Sequence, residues 1–233
     1  MIKEFTSTVL DKKMLTPSVV RLKFSLPKGL SFKPGQYFSV IRIAEGKKLK
    51  TPYSIASVPG KNFAEFCVKI INVGRTSSYL ASLKREDKIG LFGPLGNFII
   101  EESSKKKDII FISTGTGVTP FVSMIPHLLK KGFKKKIILI KGFRNEEEIL
   151  YDEESKKLEN KYKNFRFYNV LSQPKNKNLK MRGYVQDFLG KYIPKNFGGD
   201  FYVCGLKEMV NAVKEKLISL GFPEKDIFYE KYD

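Results

Sequence analysis

The chain has 233 residues, 42% of them hydrophobic, which is enough to bury one large core or two modest ones. Its 43 Lys and Arg residues outweigh 24 Asp and Glu, leaving a formal net charge of +19, and Cys67 and Cys204 are its only cysteines. Two cysteines so far apart exclude a disulfide framework, a clustered metal site and a plant-type iron–sulfur centre, so no metal is expected and a reducing cytoplasm is the expected location.

The basic excess is nearly all Lys and is scattered along the chain without a recognition helix or RNA-binding motif. Nucleic acid is therefore not the expected partner, whereas an acidic protein would make use of the field to speed transient encounters. Met1-Ile2-Lys3-Glu4-Phe5 starts polar, unlike a targeting signal. No apolar run approaches the length needed to span a bilayer, and Ile109–Ile112 and Ile137–Ile140 suit buried strands.

Up to about Ser104 the pattern is one of short alternating strands punctuated by Gly and Pro. Val19–Leu26, Tyr37–Ile43, Tyr53–Ser57, Phe63–Ile71 and Ile89–Phe92 are the clearest. Regular short strands with turn signals predict an antiparallel barrel or sandwich. A helix is expected over Thr76–Lys84, where Tyr79, Leu80 and Leu83 share a face. The polar stretch Ser103–Lys107 reads as a link between domains 1–104 and 105–233.

Beyond it, strands alternate with helices. Strand Asp108–Thr114 leads to a helix at Val118–Lys131, strand Lys136–Phe143 to one at Glu146–Tyr162, and strand Phe165–Ser172 to one at Val185–Tyr192. Strand Asp200–Cys204, helix Lys207–Leu220 and strand Ile227–Tyr232 complete the series. This alternation predicts an α/β domain with a parallel sheet covered on both faces.

Two phrases carry chemistry. Ser113–Pro120 follows a buried strand and opens a helix; Gly115 and Gly117 let backbone approach a pyrophosphate, which free N–H groups at the helix start would favour. An ordinary glycine-bearing turn reads the same way. Gly74, Arg75, Thr76 and Ser77 likewise suit either a phosphate site or a simply capped helix.

Taken in order, the phrases resemble one family. Lys33-Pro34-Gly35-Gln36-Tyr37, Tyr53–Ser57, Cys67-Val68-Lys69, Gly74–Leu80, Gly93–Phe98, Gly115–Pro120, Tyr202–Gly205 and the tail Tyr229–Tyr232 are similar to the ferredoxin–NADP reductase superfamily. The resemblance implies an N-terminal antiparallel β-barrel that binds FAD and a C-terminal α/β domain that binds NADH or NADPH. It implies that Tyr53 stacks on the flavin ring and that Ser54 bonds near flavin N5. Val68, Lys69 and Ile70 would line the flavin through their backbone, and Gly74, Arg75, Thr76 and Ser77 would hold its diphosphate. Gly115, Thr116, Gly117, Val118 and Thr119 would take the nicotinamide dinucleotide. Cys204, with Gly205 after it, would lie beside the nicotinamide, Glu230 would be its polar partner, and Tyr232 would cover part of the flavin.

The sequence departs from the family at informative places. Thr51 stands where relatives carry an Arg for the flavin phosphate, which leaves FAD against FMN, and tight against loose binding, open. Ser172-Gln173 replaces a Ser/Thr-Arg pair that grips a 2′-phosphate, with Arg144, Lys175, Lys177, Lys180 and Arg182 as substitutes. The implied activity is hydride transfer from NAD(P)H to FAD, then single electrons to ferredoxin, flavodoxin or an oxygenase component. A free-flavin reductase and a non-catalytic electron-transfer subunit are the alternatives.

Overall fold

The computed structural model describes residues 2–44, 46–71, 75–176 and 182–232. Two compact units emerge. The first runs to Ile99 and takes in Thr119–His127; the second comprises Ile100–Val118 and the chain from Leu128 onward.

In the first unit, β1 (Lys3–Thr16), β2 (Val19–Ser25), β3 (Tyr37–Ala44), β4 (Lys47–Ser54), β5 (Phe63–Lys69) and β6 (Lys88–Leu95) form one antiparallel sheet. Helix α1 (Arg75–Ser82) lies between β5 and β6 in the chain. The sheet order is β4-β3-β6-β1-β2-β5. Its two ends meet just past β4: Ile55 bridges Phe66, and the Ala56 amide donates to the Glu65 carbonyl at 2.8 Å. That contact closes the sheet into a barrel. The alternation that makes strands amphipathic places Val20, Leu22 and Phe24 of β2 inside, leaving Arg21 and Lys23 outward. Phe24 meets Phe66 at 4.5 Å between ring centroids, and α1 adds the fully buried Leu80.

Helix α2 (Thr119–Lys130) follows β7 (Ile109–Thr114) after a 3₁₀ turn over Gly115–Val118. Next come β8 (Ile137–Phe143), α3 (Asp152–Lys161), β9 (Phe165–Leu171), the short α4 (Leu189–Tyr192), β10 (Asp200–Leu206), α5 (Lys207–Ser219) and β11 (Ile227–Tyr232). The sheet of the second unit has the order β11-β10-β7-β8-β9 and every pairing is parallel. All seven residues of β8 are buried, as a parallel sheet covered on both faces requires. Strand order reverses between β7 and β10, the kind of crevice where open α/β sheets bind ligands.

The Ser103–Lys107 stretch, expected as a link between domains, is anchored within the second unit. Ser103–Lys106 forms a 3₁₀ turn in which buried Ser104 donates to Asp200 at 2.5 Å and shares a 2.8 Å hydrogen bond with the Tyr202 hydroxyl. Lys107 neutralises the buried Asp200 carboxylate at 2.7 Å. A buried charge needs such a partner, and the sequence spacing of nearly a hundred residues hid it. The expected helix over Glu146–Tyr162 is also broken. A 3₁₀ turn occupies Glu146–Glu148, and Tyr151 adopts a left-handed φ of 55° before α3 begins. Among the described residues, no helix is long and apolar enough to cross a membrane.

Candidate functional site

In the first unit the residues expected to meet a flavin fall on the end of β4, the edge of β5 and the start of α1. Tyr53 is half-buried, its ring 5.6 Å from Phe66, and burial pushes its hydroxyl up to about 12. It is therefore a neutral aromatic surface backed by the core. Ser54 beside it is buried. Thr51 Oγ1 lies 2.9 Å from Thr76 Oγ1, joining β4 to α1. Two hydroxyls sharing one hydrogen bond leave a second O–H hydrogen to donate elsewhere, which suits a phosphate oxygen. Ser77 is committed differently: its Oγ accepts from the Ile71 amide at 3.2 Å.

Val68 is buried in the barrel core, whereas Lys69 is exposed. The Ile70 amide donates to the Ser18 carbonyl at 2.8 Å. Antiparallel ladders alternate, so Val68 and Ile70 turn their backbone groups toward β2 and Lys69 turns its own toward the opposite edge. Of the three backbone contacts expected with a flavin, Lys69 alone has both groups on the available side. Gly74 lies outside the described residues, as do Lys177 and Lys180, and of Arg75 only the backbone is described.

In the second unit the glycine turn is fitted to the end of β10. A Cβ on Gly117 would stand 2.3 Å from the Cys204 carbonyl oxygen and 2.8 Å from the Gly205 Cα. A Cβ on Gly205 would lie 2.7 Å from Thr114 Oγ1. Gly115 sits at φ 52°, with nothing within 4 Å of the position a Cβ would take. Packed backbone on one side and open space on the other is the cradle a dinucleotide phosphate needs. Thr116 is partly exposed there, while Val118 and Thr119 are buried and lead into α2. Arg144 is exposed immediately after β8.

Strand register aligns Glu230, Cys204, Ser113, Lys141 and Asn169 in one row across the sheet. Cys204 is fully buried, and its thiol is pushed well above the usual range by burial and then by the Glu230 charge, with a Tyr232 hydrogen bond opposing both. Cys204 is thus a neutral thiol at physiological pH. Glu230 and Tyr232 lie on β11, the strand paired with β10, and Glu230 is opposite Cys204 in the register. Ser113 Oγ is buried beside the glycine turn and has no hydrogen-bond partner among the described residues.

Lys141 was invisible to sequence reasoning. Its ammonium is fully buried and donates to the Leu150 carbonyl at 3.0 Å and to Ser155 Oγ at 3.1 Å, and burial pushes it down to about 8. It braces the irregular β8–α3 connection. Glu146 and Glu147 on that connection were also missed, although an Asn before a Glu-Glu pair is a capping signal: Asn145 Oδ1 accepts from the Glu147 amide at 3.1 Å.

The comparisons with known proteins decide the family. The model for an oxidoreductase FAD-binding domain matches residues 6–100, and that for an oxidoreductase NAD-binding domain matches residues 111–215. Ferredoxin–NADP reductase B of Sorangium cellulosum is 31% identical over 98% of this chain and 98% of its own length. The chain belongs to the ferredoxin–NADP reductase superfamily. The phenol hydroxylase P5 protein of Acinetobacter pittii is 28% identical over 100% of this chain, which spans 66% of that relative. The crystal structure of Amycolatopsis cytochrome P450 reductase GcoB superposes with a TM-score of 0.89 at 22% identity, covering 99% of this chain and 70% of that one, a likeness of fold. The superfamily assignment gives the chain FAD-binding and NAD(P)-binding domains, and the cradle at Gly117 and the hydroxyl pair at Thr51 fit those groups.

Proposed function

We propose that the chain is a flavoprotein oxidoreductase: NAD(P)H is its hydride donor, FAD its cofactor, and a protein its electron acceptor. The cofactor chemistry is the familiar one, in which flavin takes up a hydride and releases electrons one at a time. Residues 1–104 would hold FAD and 105–233 the nucleotide. The single observation that carries the reading is the glycine turn, whose backbone is locked against Cys204 and Gly205 while Gly115 stays open.

The chain's own residues bind and orient. Tyr53 supplies a neutral aromatic face for the flavin ring, Ser54 a hydroxyl beside it, and the Thr51–Thr76 pair a donor for its phosphate. Lys69 offers edge backbone groups. Gly115, Thr116 and Gly117 present the turn to the dinucleotide phosphate, and Val118 and Thr119 carry it into α2. Cys204, buried and held protonated, would stand behind the nicotinamide position without taking a proton; from β11, Tyr232 hydrogen-bonds its thiol and the Glu230 charge keeps the thiol neutral.

The acceptor is an electron carrier such as ferredoxin or flavodoxin, or an oxygenase component, because relatives are named as a ferredoxin–NADP reductase and the reductase component of a phenol 2-monooxygenase. The net charge of +19 supports an acidic partner, and a cytoplasmic setting suits two buried cysteines that form no disulfide. One observation favours a free-flavin reductase as a second reading: Thr51 offers a neutral hydroxyl, bonded to Thr76, where the family resemblance implies an Arg. Gel filtration followed by an absorbance spectrum separates the two. The main reading expects flavin to co-elute with the protein and to be reduced by NADH or NADPH without air; a colourless protein that reduces only added flavin supports the second.

A further inference from the structure

β8 and β9 follow β7 on one side of the switch point, β9 forming the edge of the sheet, and the adenosine half of a dinucleotide held at the glycine turn would extend toward their ends. The Ser172 amide bonds to the Phe143 carbonyl at 3.0 Å and the Gln173 amide to the Arg144 carbonyl at 2.7 Å, tying the two loops together. Beyond these ties, the backbone presents two consecutive amides, Lys175 and Asn176, with the Lys175 ammonium beside them. Paired amides and an ammonium are the groups a phosphate uses.

In this chain a carboxylate already uses them. Glu146 Oε2 accepts from the Lys175 amide at 3.0 Å, and its other oxygen, Oε1, accepts from the Asn176 amide at 3.4 Å. Glu147 pairs with the Lys175 ammonium. The carboxyl of Glu146 is held below the usual carboxylate range, chiefly by the Lys175 amide. These are anions set where an anionic substituent would otherwise be received.

We propose that Glu146 and Glu147 occupy the anion-binding groups of the 173–176 loop from within the chain, and so select NADH over NADPH. The inference rests on the reading of the chain as an NAD(P)H oxidoreductase and names its donor. A 2′-phosphate arriving at this loop would displace Glu147 from Lys175 and Glu146 from two amides, and would face two carboxylates. A ribose diol carries no such penalty, and it can donate to a carboxylate. Both pairs are near the surface, so the discrimination is modest, about tenfold. Arg144 and Arg182, both exposed at the same strand ends, are the groups that would overturn it by gripping the phosphate themselves.

The test is calorimetric titration of the flavin-loaded protein with 5′-AMP and with 2′-phospho-AMP, beside anaerobic flavin reduction by NADH and NADPH. Wild type should bind 5′-AMP about tenfold more tightly than its 2′-phosphorylated counterpart. The double variant Glu146→Gln, Glu147→Gln keeps the hydrogen-bonding shape and should bring the two affinities together. A single Lys175→Ala substitution, which spares the amides, should leave the wild-type preference for 5′-AMP standing. Tighter binding of 2′-phospho-AMP by wild type, or an unchanged preference in a double variant that melts like wild type, overturns the proposal. Reduction by neither nucleotide overturns the oxidoreductase reading instead, and the AMP titrations still decide the loop.

Discussion

Replacing Gly117 by Ala is the sharpest perturbation of the nucleotide turn, because the obstacle is backbone and cannot rotate away. The new methyl would lie 2.3 Å from the Cys204 carbonyl oxygen, and real Cβ atoms essentially never come within 3.0 Å of a neighbour. The turn and β10 must therefore part by at least 0.7 Å, the difference between those distances. Overpacking of this kind costs about 1–3 kcal/mol, and for a chain of this size each kcal/mol lowers Tm by about 2–4 °C. Gly115→Ala is the control. It meets open space and costs only the left-handed φ of 52°, about 1 kcal/mol. Differential scanning calorimetry and NAD⁺ titration on both variants are the assays. Gly117→Ala should melt lower than Gly115→Ala and bind NAD⁺ at least about tenfold more weakly than wild type, since the amides of the turn are displaced with it. A Gly117→Ala protein that melts and binds as wild type does would refute the packing on which the cradle depends.

Tyr53→Phe should retain flavin at the wild-type level through desalting, whereas Tyr53→Ala should weaken flavin affinity by about tenfold, the worth of one aromatic stack. Equal retention by both variants would remove Tyr53 from the flavin site. Lys141 is pushed down to about 8, so between that pH and its ordinary 10.5 the folded chain binds fewer protons than the unfolded one. Wild-type stability should consequently gain with rising pH across that window relative to Lys141→Met, as read from urea midpoints; parallel pH profiles would contradict the buried ammonium. Cys204 should resist alkylation in the folded protein and label only on denaturation, checked by mass spectrometry, because burial keeps its thiol protonated.

Periodicity was most legible where burial is continuous. β7, β8 and β10 announce themselves as apolar runs, and their alternation with helices specifies a parallel sheet. β1 was not legible as a strand of fourteen residues. Much of it is exposed, and register shifts near Val9 and Met14 break its alternation. β4 likewise begins with exposed lysines at the end of the sheet's strand order, so only its end at Tyr53-Ser54 stood out, and the chain past Ser54 makes a single bridge where a longer strand was expected. Site residues named from motifs landed on strand ends and turns, but their partners did not show in the sequence. Gly117 against Cys204, Thr51 against Thr76 and Glu146 against Lys175 are contacts between residues far apart in the chain, made only by the fold. The buried Lys141 read as one more lysine in a lysine-rich chain, because burial of a charge depends on carbonyls supplied by Leu150 and Tyr151 in a connection that looked helical.

The most direct measurement is a single-turnover experiment on the flavin-loaded protein, mixed without air with NADH bearing either hydrogen or deuterium at nicotinamide C4. Hydride transfer to bound flavin requires the flavin absorbance to bleach, and to bleach more slowly with deuterium. Flavin absorbance left unchanged by NADH and by NADPH alike would contradict the assignment of this chain as an NAD(P)H-dependent flavin oxidoreductase.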